Sequence, residues 1–288
     1  MPSEPSLHIR PMTDDDIAFG MELKAIAGWN QTEADWRRMI SCGGEGVMLA
    51  ERAGARAGVV AALAYDGTYG WIAMMLVHPD HRRMGVATRL MKRAIDHLQA
   101  RGVGTIGLDA TDAGRPVYER LGFVARGTIV RYTGAGTGVE DDAPTVSFPM
   151  TAEDVARAVA LDAACFGVDR SHLLRMIADD TSALCHTIVG AEGASGFVMG
   201  RTGTEFVQLG PCVAPNADAA VFLVRAALAG AAGCPVCADC PEESAYGRDV
   251  VAAFGLTEQR RFTRMELGPT PARTSPRDVV FTCGAEYG

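Results

Sequence analysis

The stretch from Leu76 to Ala100, LVHPDHRRMGVATRLMKRAIDHLQA, limits what this chain can fold into more than any other. Trp71 to Val77 reads as a buried strand, Pro79 closes a turn, Arg82-Arg83-Met84-Gly85 makes a basic loop, and a long amphipathic helix follows. The helix rests on Ala87, Leu90, Met91, Ala94, Ile95 and Leu98, which recur at helical spacing while Arg89, Lys92, Arg93 and Asp96 take the other face. A strand that runs through a glycine-bearing loop into a helix N-terminus presents unpaired N–H groups and the positive end of the helix dipole. Gly85 lets the backbone approach closely and two arginines add charge, so the arrangement suits a phosphate-bearing ligand.

Length and composition frame that motif. With 288 residues, 48% hydrophobic and 22% charged, the chain can bury two cores. A formal charge of −8 argues against nucleic acid as a partner, because phosphate backbones require a basic surface. No apolar run approaches the roughly 18 residues that span a bilayer. The N-terminus MPSEPSLHIR has no signal-peptide core, so the expected location is cytoplasmic, without a membrane partner. Eight cysteines are scattered through strand-like and helix-like stretches and read as reduced, packed thiols. Cys234, Cys237 and Cys240 have a zinc-like spacing, but on a strand Cys237 points opposite to the other two and no nearby histidine completes a site. His78-Pro79-Asp80-His81 likewise lacks a third ligand, and no metal is expected.

Leu7 to Arg10 is a short strand, and Thr13 followed by Asp14, Asp15 and Asp16 marks a capped helix start that leads to about Ile26. Gly28-Trp29-Asn30-Gln31 joins it to a second helix, Glu33 to Ile40, carrying Trp36. Trp29 and Asn30 on that loop line a substrate mouth, or else Trp29 fills a gap between the helices; an amphipathic indole serves either use. Val47 to Glu51 and Ala57 to Tyr65 read as hairpin strands around Gly54. After the long helix, Gly102-Val103-Gly104-Thr105-Ile106-Gly107 spells a literal dinucleotide fingerprint. It follows a helix and leads into the strand Thr105 to Ala110, the reverse of what that fingerprint requires, and reads as a helix C-cap and turn.

Gly114 to Phe123, GRPVYERLGF, is a short helix with Pro116 in its first turn, stopped by Leu121-Gly122-Phe123. Val77-His78-Pro79 followed by Arg82-x-x-Gly85-x-Ala87 resembles the coenzyme A pyrophosphate loop of the GNAT superfamily of N-acetyltransferases. Tyr118 matches the family's tyrosine beside the coenzyme sulfur. The resemblance implies that Leu76, Val77, Arg82, Arg83, Met84, Gly85, Val86, Ala87 and Thr88 bind acetyl-CoA. Amides of Arg83 to Thr88 would hold the pyrophosphate, and a strand amide near Leu76 would polarise the thioester carbonyl. It also offers Tyr118 as general acid for the departing thiolate, the alternative being an aromatic packing residue. Many members carry an asparagine before this helix; Ala110 to Tyr118 has none, which leaves Asp109 and Asp112 as the polar groups there. The strand Trp71 to Val77 offers Met74 and Met75 and no carboxylate. Asp109 or a water chain is therefore nominated as base, against a capping carboxylate at a strand end.

Gly134 to Gly138 and then Glu140-Asp141-Asp142-Ala143-Pro144 make a flexible acidic linker, beyond which the chain repeats itself. Pro149-Met150-Thr151 echoes Pro11-Met12-Thr13, Val213-Ala214-Pro215 echoes Val77-His78-Pro79, Phe254-Gly255-Leu256 stands for Leu121-Gly122-Phe123, and Arg264-Met265 for Arg131-Tyr132. The copy has lost both arginines and the glycine of the loop, has Val251 in place of Tyr118, and carries Asp218, which would repel a pyrophosphate. Its helix Ala219 to Ala229 is apolar nearly all round and is expected to be buried on several sides, against the first domain. Val279 to Cys283 is expected to add an edge strand.

Resemblance and repeat together imply an α/β fold of two tandem GNAT-like domains, each a central mixed β-sheet flanked by helices. Residues 1–134 form the acetyl-CoA-binding domain, 135–145 a linker, and 146–288 a second domain without a coenzyme loop. The implied function is direct acetyl transfer from acetyl-CoA to the amine of a small molecule. An acyl-CoA sensor without turnover, or a thioesterase or other acyltransferase, remains open.

Overall fold

The structure, a computed structural model, describes residues 6–137, 148–190, 193–270 and 276–288. The acidic part of the expected linker, from residue 138 on, lies outside them. The first half runs β1 (Leu7–Pro11), α1 (Ile17–Ile26), α2 (Glu33–Gly43), β2 (Val47–Arg52), β3 (Ala55–Tyr65), β4 (Tyr69–Val77), α3 (Val86–Ala100), β5 (Thr105–Ala110), α4 (Arg115–Arg120) and β6 (Val124–Ala135). The second repeats that order: β7 (Phe148–Pro149), α5 (Ala152–Phe166), α6 (Ser171–Asp180), β8 (His186–Gly190), β9 (Gly193–Arg201), β10 (Val207–Val213), α7 (Ala217–Gly230), β11 (Pro235–Pro241), α8 (Gly247–Ala253) and β12 (Thr257–Leu267). It then adds β13 (Val279–Phe281).

The two Thr-led starts close as capping boxes, Thr13 with Asp16 and Thr151 with Asp154. Asp16 also ties β1 to the turn that starts α1, accepting from Arg10 Nη1 and Nη2 at 2.7 and 2.9 Å. The Arg10 guanidinium holds the Asp16 carboxyl down to about 2, below the about 3.9 of a free aspartate. A depressed carboxylate contributes stability that is complete above about pH 4 and is lost as pH falls toward its folded value. Asp16→Asn is expected to lower the urea midpoint at pH 7, and the gap from the wild type should close between about pH 4 and pH 2.

The strands form a single 13-stranded sheet in the order β1-β2-β3-β4-β5-β12-β6-β11-β10-β9-β8-β7, with β13 paired to β10 off that path. Its centre differs from the sequence reading, in which Arg131-Tyr132 closes a strand pair inside the first half. The sixth strands are exchanged instead: β12 pairs with β5, β6 pairs with β11, and β6 and β12 run antiparallel to each other. As copies, β6 and β12 can each complete the edge of either β5 or β11, and the exchange leaves neither edge open. Each exchanged strand carries an arginine into the opposite half. Arg131 Nε and Nη2 lie 2.6 Å from the two oxygens of Asp239, and Arg264 Nε and Nη2 lie 2.9 and 2.8 Å from those of Asp109. These bidentate pairs are one contact made twice across the β6–β12 seam.

Helix α3 covers the first half's sheet through Val86, Leu90, Met91, Ala94, Ile95 and Leu98. Helix α7 covers β8–β11 of its own half. The expectation that α7 packs against the first domain is therefore corrected. Its outer face carries Asp218, Arg225, Ala217, Ala226 and Ala229 beside half-buried Val221 and Phe222, and stays partly exposed to solvent. The halves meet on the other face of the sheet. There α1, α2, α5 and α6 enclose a shared core in which Trp36, Leu63 and Trp71 belong with Phe166, Phe197 and Tyr287. No helix among the described residues is long and apolar enough to cross a membrane.

Candidate active site

Strand β4 is bulged where it matters. β3 and β4 pair at Ala61–Ala73 and again at Val59–Leu76, so Met74 and Met75 together face Val60. Met74 takes a φ of 52°, an uncommon left-handed value for a side-chain-bearing residue. β4 and β5 are parallel and paired only from Tyr69–Thr105 to Trp71–Gly107. Past that point they diverge, and a cavity of about 330 Å³ opens, lined by β4 from Ile72 to Val77 and by Leu108 and Asp109 of β5.

Leu76, Val77, Arg82 and Ala87 line this cavity. Arg83, Met84, Gly85 and Thr88 are exposed on the loop and first helical turn, and Val86 turns its side chain into the core under α3. Arg82 Nε donates to the Val77 carbonyl at 3.1 Å, fastening the loop to the strand end. Gly85, at φ 76°, is the N-cap of α3, and among the described residues no side chain caps this helix. Its counterpart α7 is capped, with Asn216 Oδ1 accepting from the Ala219 amide at 2.9 Å. The first N–H groups of α3 are thus open to an anion, whereas α7 has used one on its own cap.

Tyr118, on α4, lines the same cavity and packs edge-on against Phe123 at 6.2 Å. Burial pushes its phenol up to about 12, so it keeps its proton and can donate it throughout the neutral range. Asp109 also reaches the cavity wall, but its side chain is fully buried and both oxygens accept from Arg264. Each oxygen is thus engaged by the Arg264 guanidinium, and the contact repeats the one at Asp239. Asp112 is exposed and lines no part of the cavity.

Trp29 is half-buried, lining the cavity while packing against the shared core. Asn30 is placed differently from a mouth residue. It is buried, its Oδ1 accepts from the Glu205 and Phe206 amides at 3.0 and 2.9 Å, and its Nδ2 donates to the Phe206 carbonyl at 3.0 Å. Asn30 tethers the loop before β10, as does Lys24, whose Nζ donates to Thr204 Oγ1 at 2.6 Å. The cavity also takes in residues that no motif marked: Gln31, Arg131, Arg260, Phe262, Ala285 and Glu286. Arg131 comes on β6, Arg260 and Phe262 come on the exchanged β12, and Glu286 comes on the coil after β13. That coil is held by Trp71 Nε1 donating to the Ala285 carbonyl at 3.0 Å and by the Tyr287 hydroxyl donating to the Asp35 carbonyl at 3.1 Å.

The second half has the same opening and fills it. β10 is bulged at Gly210-Pro211, and it pairs with β11 only from Val207–Val236 to Leu209–Ala238. Beyond the bulge β13 takes the gap, pairing with β10 at Cys212–Phe281 and Val213–Val279, while the Thr282 amide donates to the Asp239 carbonyl at 2.8 Å. The expected edge strand at Val279 to Cys283 is therefore an insert. It gives ladder partners to backbone groups that the diverging strands can no longer give each other. In this half Cys237 and Cys240 are buried thiols pushed up to about 12 by burial, with Cys237 Sγ donating to Gln208 Oε1 at 3.1 Å.

Residues 18–123 match the Acetyltransferase (GNAT) family and residues 158–279 match an Acetyltransferase (GNAT) domain. The chain is 29% identical over 193 residues to YitH of Bacillus subtilis, named an uncharacterized N-acetyltransferase. That match covers 64% of this chain and 65% of YitH, just under two thirds of the relative's length. It is 32% identical over 131 residues to acetyltransferase SG1711 of Sodalis glossinidius, covering 43% of this chain and 92% of that protein. A chain from Pyrococcus horikoshii described as an acetyltransferase shares the fold, with a TM-score of 0.84 at 20% identity over 98% of this chain and 96% of that one. A repeated fold whose two copies match the same superfamily independently means that this chain belongs to the GNAT acetyltransferase family, as a tandem of two GNAT domains.

Proposed function

We propose that the first domain binds acetyl-CoA and transfers its acetyl group directly to the amine of a small molecule, while the second domain supplies part of the acceptor site. The division we propose is 1–134 for the coenzyme-binding domain, 135–145 for the linker and 146–288 for the second, with β6 and β12 each completing the other's sheet. The observation that carries the reading is one cavity that takes in Arg82 and Ala87 of the loop, Tyr118, and Glu286 from the far end of the chain. The residues present suit the coenzyme, since α3 lacks a side-chain cap and its counterpart gap in the second domain is filled by β13. In this reading the amides of Arg83 to Thr88 hold the pyrophosphate, an amide near Leu76 polarises the thioester carbonyl, and Tyr118 gives a proton to the departing sulfur. A sensor would need the loop alone; a protonated phenol in the same cavity favours turnover.

Free-thiol release from acetyl-CoA, measured with and without a panel of amines, tests this. Release that depends on added amine is expected. Release without amine would favour a hydrolase, binding without release a sensor, and failure to bind acetyl-CoA would sink the reading.

Gly114 gives a finer check on Tyr118. A Cβ at Gly114 would stand 2.9 Å from Tyr118 Cε2 and 3.2 Å from its hydroxyl, while the Gly114 backbone, at φ −83° and ψ −34°, accepts alanine without strain. Gly114→Ala is expected to displace the ring and lower kcat by about ten- to a hundred-fold, with Tm nearly unchanged.

A further inference from the structure

Three polar side chains in the cavity are left over once the hydrogen bonds of the fold are assigned. Gln31 and Glu286 are only 7% and 4% exposed, yet Gln31 Oε1 and Glu286 Oε2 have no hydrogen-bond partner among the described residues. Glu286 is held by its other oxygen, which accepts from Arg201 Nη2, and Arg201 pairs in turn with Asp35 at 3.1 Å. Oε2 is therefore fixed in place but unsatisfied, and a buried acceptor without a donor is costly. Arg260 is the opposite case. It is half-buried on the cavity wall, its guanidinium 5.6 Å from the centre of the Phe262 ring, and its one side-chain bond is Nε to Gln259 Oε1 at 3.4 Å. Among the described residues it forms no ion pair; burial and then Arg131 push its pKa down, only partly offset by Asp239, whose two oxygens are already taken by Arg131, and a ligand anion would relieve this.

Two acceptors without donors and a cation without a counter-charge, in one cavity, define a ligand of the reverse polarity. We infer that the acyl acceptor is a small amino carboxylate, its ammonium held by Glu286 Oε2 and Gln31 Oε1 and its carboxylate held by Arg260. This rests on the acetyl-transfer reading above. A cavity of about 330 Å³ that also admits the thioester end leaves room for a molecule of amino-acid size, with Trp29, Met74 and Phe262 as apolar walls. In the transfer, Glu286 Oε2 takes one ammonium proton. The freed nitrogen lone pair forms the C–N bond to the thioester carbonyl carbon, and the C–S pair leaves with sulfur. Tyr118 protonates that sulfur and is reprotonated by the second proton the nitrogen loses on becoming an amide. Glu286 returns its proton to solvent, so one proton is released per turnover.

The test pairs α- and ω-amino acids with the amines obtained by removing the carboxylate, using thiol release for turnover and calorimetry for binding to the full-length protein. Amino acids are expected to exceed their decarboxylated partners at least about ten-fold in kcat/KM. Arg260→Met should erase that preference, raising KM for the acids about ten-fold or more beyond any change it makes for the simple amines. Glu286→Gln should lower kcat for acids and amines alike by about a hundred-fold; its Tm is measured beside the wild type because Arg201 also depends on this residue. Equal use of decarboxylated amines by the wild type, or a preference that survives Arg260→Met, would overturn the inference while leaving acetyl transfer intact. Amine acetylation that excludes every amino acid would do the same. Should no amine be acetylated, the acetyl-transfer reading falls. Calorimetry then decides separately, because no amino-acid binding overturns the assigned site and binding lost in Arg260→Met upholds it.

Discussion

Tyr118→Phe is expected to lower kcat by roughly a hundred- to a thousand-fold, the contribution of a positioned proton donor, while leaving the Kd for acetyl-CoA unchanged. The two effects separate because the substitution removes one hydroxyl and nothing else. The ring keeps its edge contact with Phe123, and the uncapped N-terminus of α3, with Arg82 and Arg83, is untouched. Burial holds the phenol up to about 12. A donor is lost as pH rises through its own pKa, so Tyr118 contributes no falling limb to the wild-type rate below about pH 10. The pH–rate curve of Tyr118→Phe should therefore drop as a whole and keep its shape. Unchanged turnover would remove Tyr118 from the mechanism and return it to packing.

Asp109→Leu is expected to destabilise the protein by about 3–5 kcal/mol, because it leaves the Arg264 guanidinium buried without its counter-charge. Arg264 lies across the exchange, on β12 against β5, so the loss should appear in both halves together in a urea titration followed at Trp71 and by far-UV circular dichroism. Adding Arg264→Met to Asp109→Leu should recover most of that stability, since a buried ion pair and an apolar pair of similar volume are nearly equivalent. The double variant also separates tether from base. Turnover within a few-fold of wild type assigns Asp109 to holding the halves together, as Asp239 does with Arg131. A stable double variant that has lost turnover a hundred-fold would restore Asp109 as the proton acceptor.

Much of this protein is determined by local sequence. The strand, loop and helix from Leu76 to Ala100, the capped starts at Thr13 and Thr151, the C-cap at Gly102, and the short helix carrying Tyr118 depend on residues within a few positions of one another. Periodicity and turn chemistry report such elements directly. The repeat was legible for the same reason, as was the absence from the second copy of counterparts to Arg82, Arg83 and Gly85. Tertiary structure alone decided which strand lies beside which. β6 and β12 are near-equivalent in what they offer an edge, so pattern cannot tell a strand kept in its own domain from one exchanged with the other. Everything that depends on that choice was hidden with it. Asp109 is buried against a cation because Arg264 reaches it across the seam. Asn30 is spent on a loop more than 170 residues away in sequence. β13 fills a gap that only a pair of diverging strands could create. Gln31 and Glu286 stand in one cavity because α1, α2 and the last coil share a core, a long-range contact that no window along the chain contains.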